Sequence, residues 1–177
     1  LMLLDLKEST TKHELQNIAS AFGTTSYEDA LDVIIPSLLV IQHHIHKHQI
    51  VHRDLKSANI LVDSRFHAKV SDFGLSQKKK VGAAGTPYWM APELLRKEAD
   101  NTPASDVYSF GIILYEAYTR KIPYEGEDYD NVIKSVASKS VQKKPPIPGS
   151  APPQIKSMMT ECLSSNAVER PIFEELD

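Results

Sequence analysis

Apolar residues recur at Leu31, Ile34, Ile35, Leu38, Ile41 and Ile45, the stripe of an amphipathic helix. Thr25 followed three residues later by Glu28 forms a capping box in front of it, so the pattern predicts a helix of about six turns. Pro36 falls inside that helix, where the missing N–H costs about 3 kcal/mol unless the axis bends, and a bend is expected there. Between Pro103 and Arg120 a second stripe, Val107, Phe110, Ile113, Leu114 and Ala117, carries few charges on any side. That pattern predicts a central helix buried on most faces. Weaker helical patterns cover Asp128 to Ala137 and Pro153 to Leu163, and a last one begins after Pro171. Leu1 to Ser9 reads as a short apolar helix, with a polar connection reaching Gly23. Three short β-rich pieces, Ile50-Val51, Ile60-Leu61-Val62 and Ala68-Lys69-Val70, interrupt the helical pattern. The last two flank a polar turn through Asp63 and Ser64 and read as a hairpin. The expected fold class is mostly α with small β-hairpins.

Composition narrows what such a fold does. The 177 residues fit one domain with a sizeable core. Twenty Lys and Arg against 23 Asp and Glu leave a net charge of −3, which gives no basic field for nucleic acid or a polybasic membrane anchor. The single cysteine, Cys162, excludes an internal disulfide and a cysteine-based zinc site and fits a reducing, cytoplasmic compartment. No stretch reaches the roughly 18 apolar residues of a membrane span. The seven glycines are too scattered for either G-x-G-x-x-G or G-x-x-x-x-G-K-S/T, so a glycine-rich phosphate loop is expected outside this segment. Leu1 in first position also suggests part of a longer product.

The chemistry gathers in the middle of the chain. His52-Arg53-Asp54-Leu55-Lys56-Ser57-Ala58-Asn59 puts an acid, a base and an amide within six residues. Thirteen residues beyond Asn59 stands Asp72-Phe73-Gly74, followed by Gly85-Thr86-Pro87-Tyr88-Trp89-Met90 and Ala91-Pro92-Glu93. In this order and spacing the series resembles the C-terminal lobe of a eukaryotic protein kinase, serine/threonine type, closest to the tyrosine-kinase-like group. The resemblance covers residues 1–177, from the helix after the hinge to the start of the last helix, with the N-terminal β lobe absent from this chain.

That resemblance implies ATP and Mg2+ as cofactors and serine or threonine hydroxyls of proteins as acceptors. Asp72 and Asn59 would hold magnesium, which prefers hard oxygen ligands. Asp54 would accept the substrate proton and Lys56 would balance charge on the γ-phosphate. Thr86 completes the catalytic set, and Lys56, Ser57, Asn59, Leu61 and Asp72 are the positions lining the nucleotide. Glu93 would pair with Arg170, Asp106 would tie down the catalytic loop, and His52 and Phe73 would belong to a hydrophobic column linking two lobes. Lys56 and Thr86 favour serine/threonine over tyrosine specificity, because a short serine must come close to Asp54. The N-lobe of the same polypeptide would be required, and the isolated segment is expected to be inactive. The rival reading is a kinase-like pseudoenzyme that works as a binding or scaffold module.

Some features depart from the family or stand apart from its chemistry. Tyr108 and Leu163 occupy positions where tryptophan is usual. Arg53 would ordinarily pair with a phosphate on the loop before Glu93, yet Gln77 to Gly85 contains no Ser, Thr or Tyr. Activation is therefore expected not to depend on phosphorylation in the middle of that loop. His44 and His48 are spaced to share a metal, but their place at a helix C-terminus is explained by its dipole. Lys78-Lys79-Lys80 reads as a solvated loop or a contact for acidic substrates. The run Pro145-Pro146-Ile147-Pro148 reads as a polyproline II ligand or a stiff connection, and helical patterns on both sides favour the connection.

Overall fold

The computed structural model describes residues 2–3, 27–62, 68–75 and 83–176, with the backbone alone for 2–3 and 27–30. The Thr25–Glu28 capping box, the Asp63–Ser64 turn and the lysine run at 78–80 lie outside the residues whose side chains are described.

Helix α1 spans Tyr27–Lys47 and runs through Pro36. The proline ring is exposed, so its missing N–H lies on the solvent side, while Leu31, Ile35, Leu38, Leu39 and Ile45 face the core. Strands β1 (Met2–Leu3), β2 (Ile60–Val62) and β3 (Ala68–Val70) form an antiparallel sheet in that order. Ile60 pairs with Val70 and Val62 with Ala68, the register of the expected hairpin.

Two expectations need correction. Met2 and Leu3 extend along β2 rather than opening a helix: a free strand edge can recruit a short apolar run whatever its helical propensity. Ile50 and Val51 form no strand, because β-branched side chains alone supply no hydrogen-bonding partner.

Helices α2 (Pro92–Leu95), α3 (Pro103–Thr119), α4 (Tyr129–Ala137) and α5 (Pro153–Cys162) complete the helical part, and a 3-10 turn, Phe173–Glu175, follows near the end. Helix α3 is the central element, buried at every position from Ser105 to Glu116. Its start is set by Thr102 and Ser105, each side chain bonding the other's backbone N–H, which satisfies amides the first turn leaves open. Gly111 lets α5 approach: a β-carbon there would lie 2.9 Å from Cys162 Cβ and 3.0 Å from Leu163.

The main core joins α1, β2, β3, α3, α5 and Phe173. A second cluster sets Ala91 and Leu94 against Tyr108, Ile112 and Leu163, fastening the segment before α2 to the central helix.

Candidate active site

Asp106, in the first turn of α3, is 1% exposed and carries the loop that follows α1. Its Oδ2 accepts the His52 backbone N–H at 2.7 Å and its Oδ1 the Arg53 backbone N–H at 3.0 Å. His46 Nε2 lies 3.0 Å from Oδ2, so α1, the loop and α3 meet on one carboxylate. Arg53 sits at φ 73, a left-handed conformation that costs an L-residue about 1–2 kcal/mol and needs such bonds to persist.

Just beyond this clamp, three side chains close a triangle. Thr86 Oγ1 donates to Asp54 Oδ1 at 2.7 Å and accepts from Lys56 Nζ at 2.8 Å. Lys56 Nζ lies 2.9 Å from Asp54 Oδ2. Asn59 Nδ2 donates to the Asp54 carbonyl at 2.8 Å, which orients the amide and leaves its oxygen as the cation-binding end. The Asn59 carbonyl accepts both the Ser71 N–H, at 2.8 Å, and the Ser71 hydroxyl, at 3.0 Å. The magnesium candidates Asn59 and Asp72 are therefore linked through one intervening residue. Asp72 is exposed at φ 59, and the His52 and Phe73 rings meet edge to face at 4.9 Å between centroids. An exposed carboxylate and an oriented amide oxygen are hard-oxygen donors of the kind magnesium prefers.

The ion pair expected between Glu93 and Arg170 is present and bidentate, at 2.7 and 2.8 Å. Arg170 also donates to the carbonyls of Ala104 and Ser164, each at 2.9 Å, and its guanidinium lies 5.1 Å from the Tyr108 ring centroid. Tyr108, standing where tryptophan is usual, keeps an aromatic face for that cation.

A model of the protein kinase domain matches residues 2–176. The chain belongs to the protein kinase family. It is 44% identical over 140 residues to the probable serine/threonine-protein kinase drkA of Dictyostelium discoideum, covering 77% of this chain and 21% of that protein. It is 42% identical over 135 residues to the dual specificity protein kinase shkD of the same organism, covering 72% and 18%. It is 36% identical over 156 residues to mitogen-activated protein kinase kinase kinase 12 of Rattus norvegicus, covering 81% and 17%. The chain spans about a fifth of the length of these curated relatives.

Within this kinase fold, Asp54, Lys56, Asn59 and Thr86 come together, and Asp72 follows Ser71, which bonds the Asn59 carbonyl. Leu61 is partly buried, between Ile60 and Val62, whose side chains belong to the core. The Ser57 hydroxyl turns inward to Glu116 Oε1 at 3.0 Å, so any contact of Ser57 with a nucleotide falls to its backbone. The His44 and His48 rings lie 4.4 Å apart between centroids, tilted at 44°, and His48 Nδ1 donates to the His44 carbonyl. No cluster of three or more His, Cys, Asp or Glu suited to a metal gathers among the described residues.

Two polar residues at the site were not anticipated. Glu116, 5% exposed on α3, accepts from Ser57 and from Trp89 Nε1 at 2.8 Å, and burial pushes its carboxyl up to about 8. Asn101 bonds both Arg53 and Ala84. The only sequence signal for Glu116 is an acid on a helix with few charges; Asn101, in a polar connection, has none.

Proposed function

We propose that this chain is the C-terminal lobe of an ATP- and magnesium-dependent serine/threonine protein kinase of the tyrosine-kinase-like group, acting on protein hydroxyls. The observation that carries the reading is the Asp54–Lys56–Thr86 triangle, which holds a carboxylate and a cation 2.9 Å apart. Magnesium, when bound with ATP, neutralises charge on the phosphates. Asn59 and Asp72 would hold it. Asp54 orients the attacking serine or threonine hydroxyl and takes its proton. Lys56 stabilises negative charge on the transferred group, and Thr86 keeps both side chains in register.

Phe73 is 42% and Leu75 37% exposed next to this site. An apolar edge of this kind fits the face that the N-lobe of the same polypeptide would cover. Among the described residues no helix is long and apolar enough to cross a membrane, and an intracellular, cytoplasmic location belongs to the same proposal. The test is phosphoamino-acid analysis of proteins labelled by the full-length enzyme with γ-labelled ATP. Phosphoserine and phosphothreonine are expected. Exclusive phosphotyrosine would overturn the acceptor assignment, and ATP binding without transfer would favour the pseudoenzyme.

A further inference from the structure

The arginine beside the catalytic aspartate makes a contact that the motif series does not account for. Asn101 lies one residue before Thr102, the N-cap of α3, and its carboxamide acts as a short strand partner for Ala84. Asn101 Oδ1 accepts the Ala84 N–H at 2.9 Å, and Nδ2 donates to the Ala84 carbonyl at 2.9 Å. The same amide reaches the catalytic loop: Oδ1 accepts Arg53 Nε–H at 3.3 Å, and Nδ2 lies 3.5 Å from the Arg53 carbonyl. Gly85 then passes so close that a β-carbon would lie 2.9 Å from that carbonyl, at φ 137, where an L side chain would be strained. The segment leading into Thr86 is thus held against Arg53 by an uncharged side chain anchored at the central helix.

A phosphate would satisfy Arg53 only as an acceptor. The carboxamide accepts from Arg53 and also supplies both halves of the Ala84 pairing. No hydroxyl residue lies between Gln77 and Gly85 to carry such a phosphate. We propose that Asn101 is a positioning residue that holds the segment before Thr86 on the catalytic loop in place of a loop phosphate, so that transfer proceeds without phosphorylation between Gln77 and Gly85. This rests on the kinase reading above and adds its regulation.

The experiment uses the full-length protein, stripped with a protein phosphatase and then freed of it, with a serine peptide as substrate. Wild type is expected to keep at least half of its initial rate. Asn101→Ala should lower kcat/KM by about ten- to hundredfold, as expected for the loss of two to three such bonds. Asn101→Asp, which still accepts from Ala84 and Arg53 but cannot donate, should recover part of it. Hydrogen exchange of the Ala84 amide should accelerate in Asn101→Ala while the melting temperature stays within a few degrees of wild type, a pattern that loss of folding would not give. Activity that phosphatase removes, or an Asn101→Ala enzyme as active as wild type, would overturn the proposal. If untreated wild type transfers no phosphate, the kinase reading fails; the Ala84 amide then decides the contact, and unchanged exchange in Asn101→Ala overturns it.

Discussion

Replacing Asp106 tests whether the catalytic loop is held from the central helix. Its carboxylate accepts two backbone N–H groups and meets His46, at 2.7, 3.0 and 3.0 Å, while 1% exposed. Asp106→Ala leaves both amides buried without an acceptor, at about 1–3 kcal/mol each, so roughly 2–6 kcal/mol in all. Against a domain stability of about 5–15 kcal/mol this is a large fraction. Asp106→Asn is the sharper probe because it keeps the shape. Its one carbonyl can serve the Oδ1 side or the Oδ2 side, and its NH2 then faces a donor, costing about 1–3 kcal/mol. At roughly 2–4 °C per kcal/mol for a domain of this size, Asp106→Asn should melt about 2–12 °C lower. The loss should extend to activity, because Arg53 at φ 73 would relax and carry Asp54 with it. The assay is a thermal melt and serine-peptide turnover on the full-length enzyme. An Asp106→Asn protein that melts within 1 °C of wild type and turns over equally would refute the clamp.

Three further predictions concern packing and reactivity. Gln42 is 0% exposed, and neither of its amide atoms has a partner among the described residues, so Gln42→Met should raise the melting temperature by a few degrees, as expected when about 1–3 kcal/mol of unpaired polar burial is removed. Gly111→Ala would place a β-carbon 2.9 Å from Cys162 Cβ and 3.0 Å from Leu163 and should destabilise by about 1–3 kcal/mol, read from denaturant unfolding. Burial pushes the Cys162 thiol up to about 12, so it stays protonated through neutral and mildly alkaline pH. Iodoacetamide at pH 8 should leave it unmodified in the native protein and alkylate it once denaturant unfolds the domain.

The parts of this architecture that were legible in the sequence are those whose signal is local. The stripe from Leu31 to Ile45 and the apolar run from Val107 to Leu114 announced α1 and α3 through periodicity. The weaker pattern from Asp128 to Ala137 corresponds to α4, which the structure caps with the Asp128 side chain accepting the Asn131 N–H. The pairing of Glu93 with Arg170, 77 positions apart, could be expected only through the family resemblance. What stayed hidden depended on long-range contacts. Ile50-Val51 had the composition of a strand but no strand partner among the described residues, the Ile50 N–H bonding back to the Ile45 carbonyl, while Met2-Leu3 found one at the edge of β2. Glu116 and Asn101 take their meaning from Trp89, Ser57, Arg53 and Ala84, which only the folded chain brings to them.

The central claim, that Asp54 serves phosphate transfer to a hydroxyl, is tested most directly by Asp54→Asn in the full-length protein. Phosphate incorporation into a serine peptide and nucleotide binding would be measured on the same preparation. Transfer should fall to background while ATP binding with magnesium stays within a fewfold of wild type. Undiminished transfer in that variant would contradict the account.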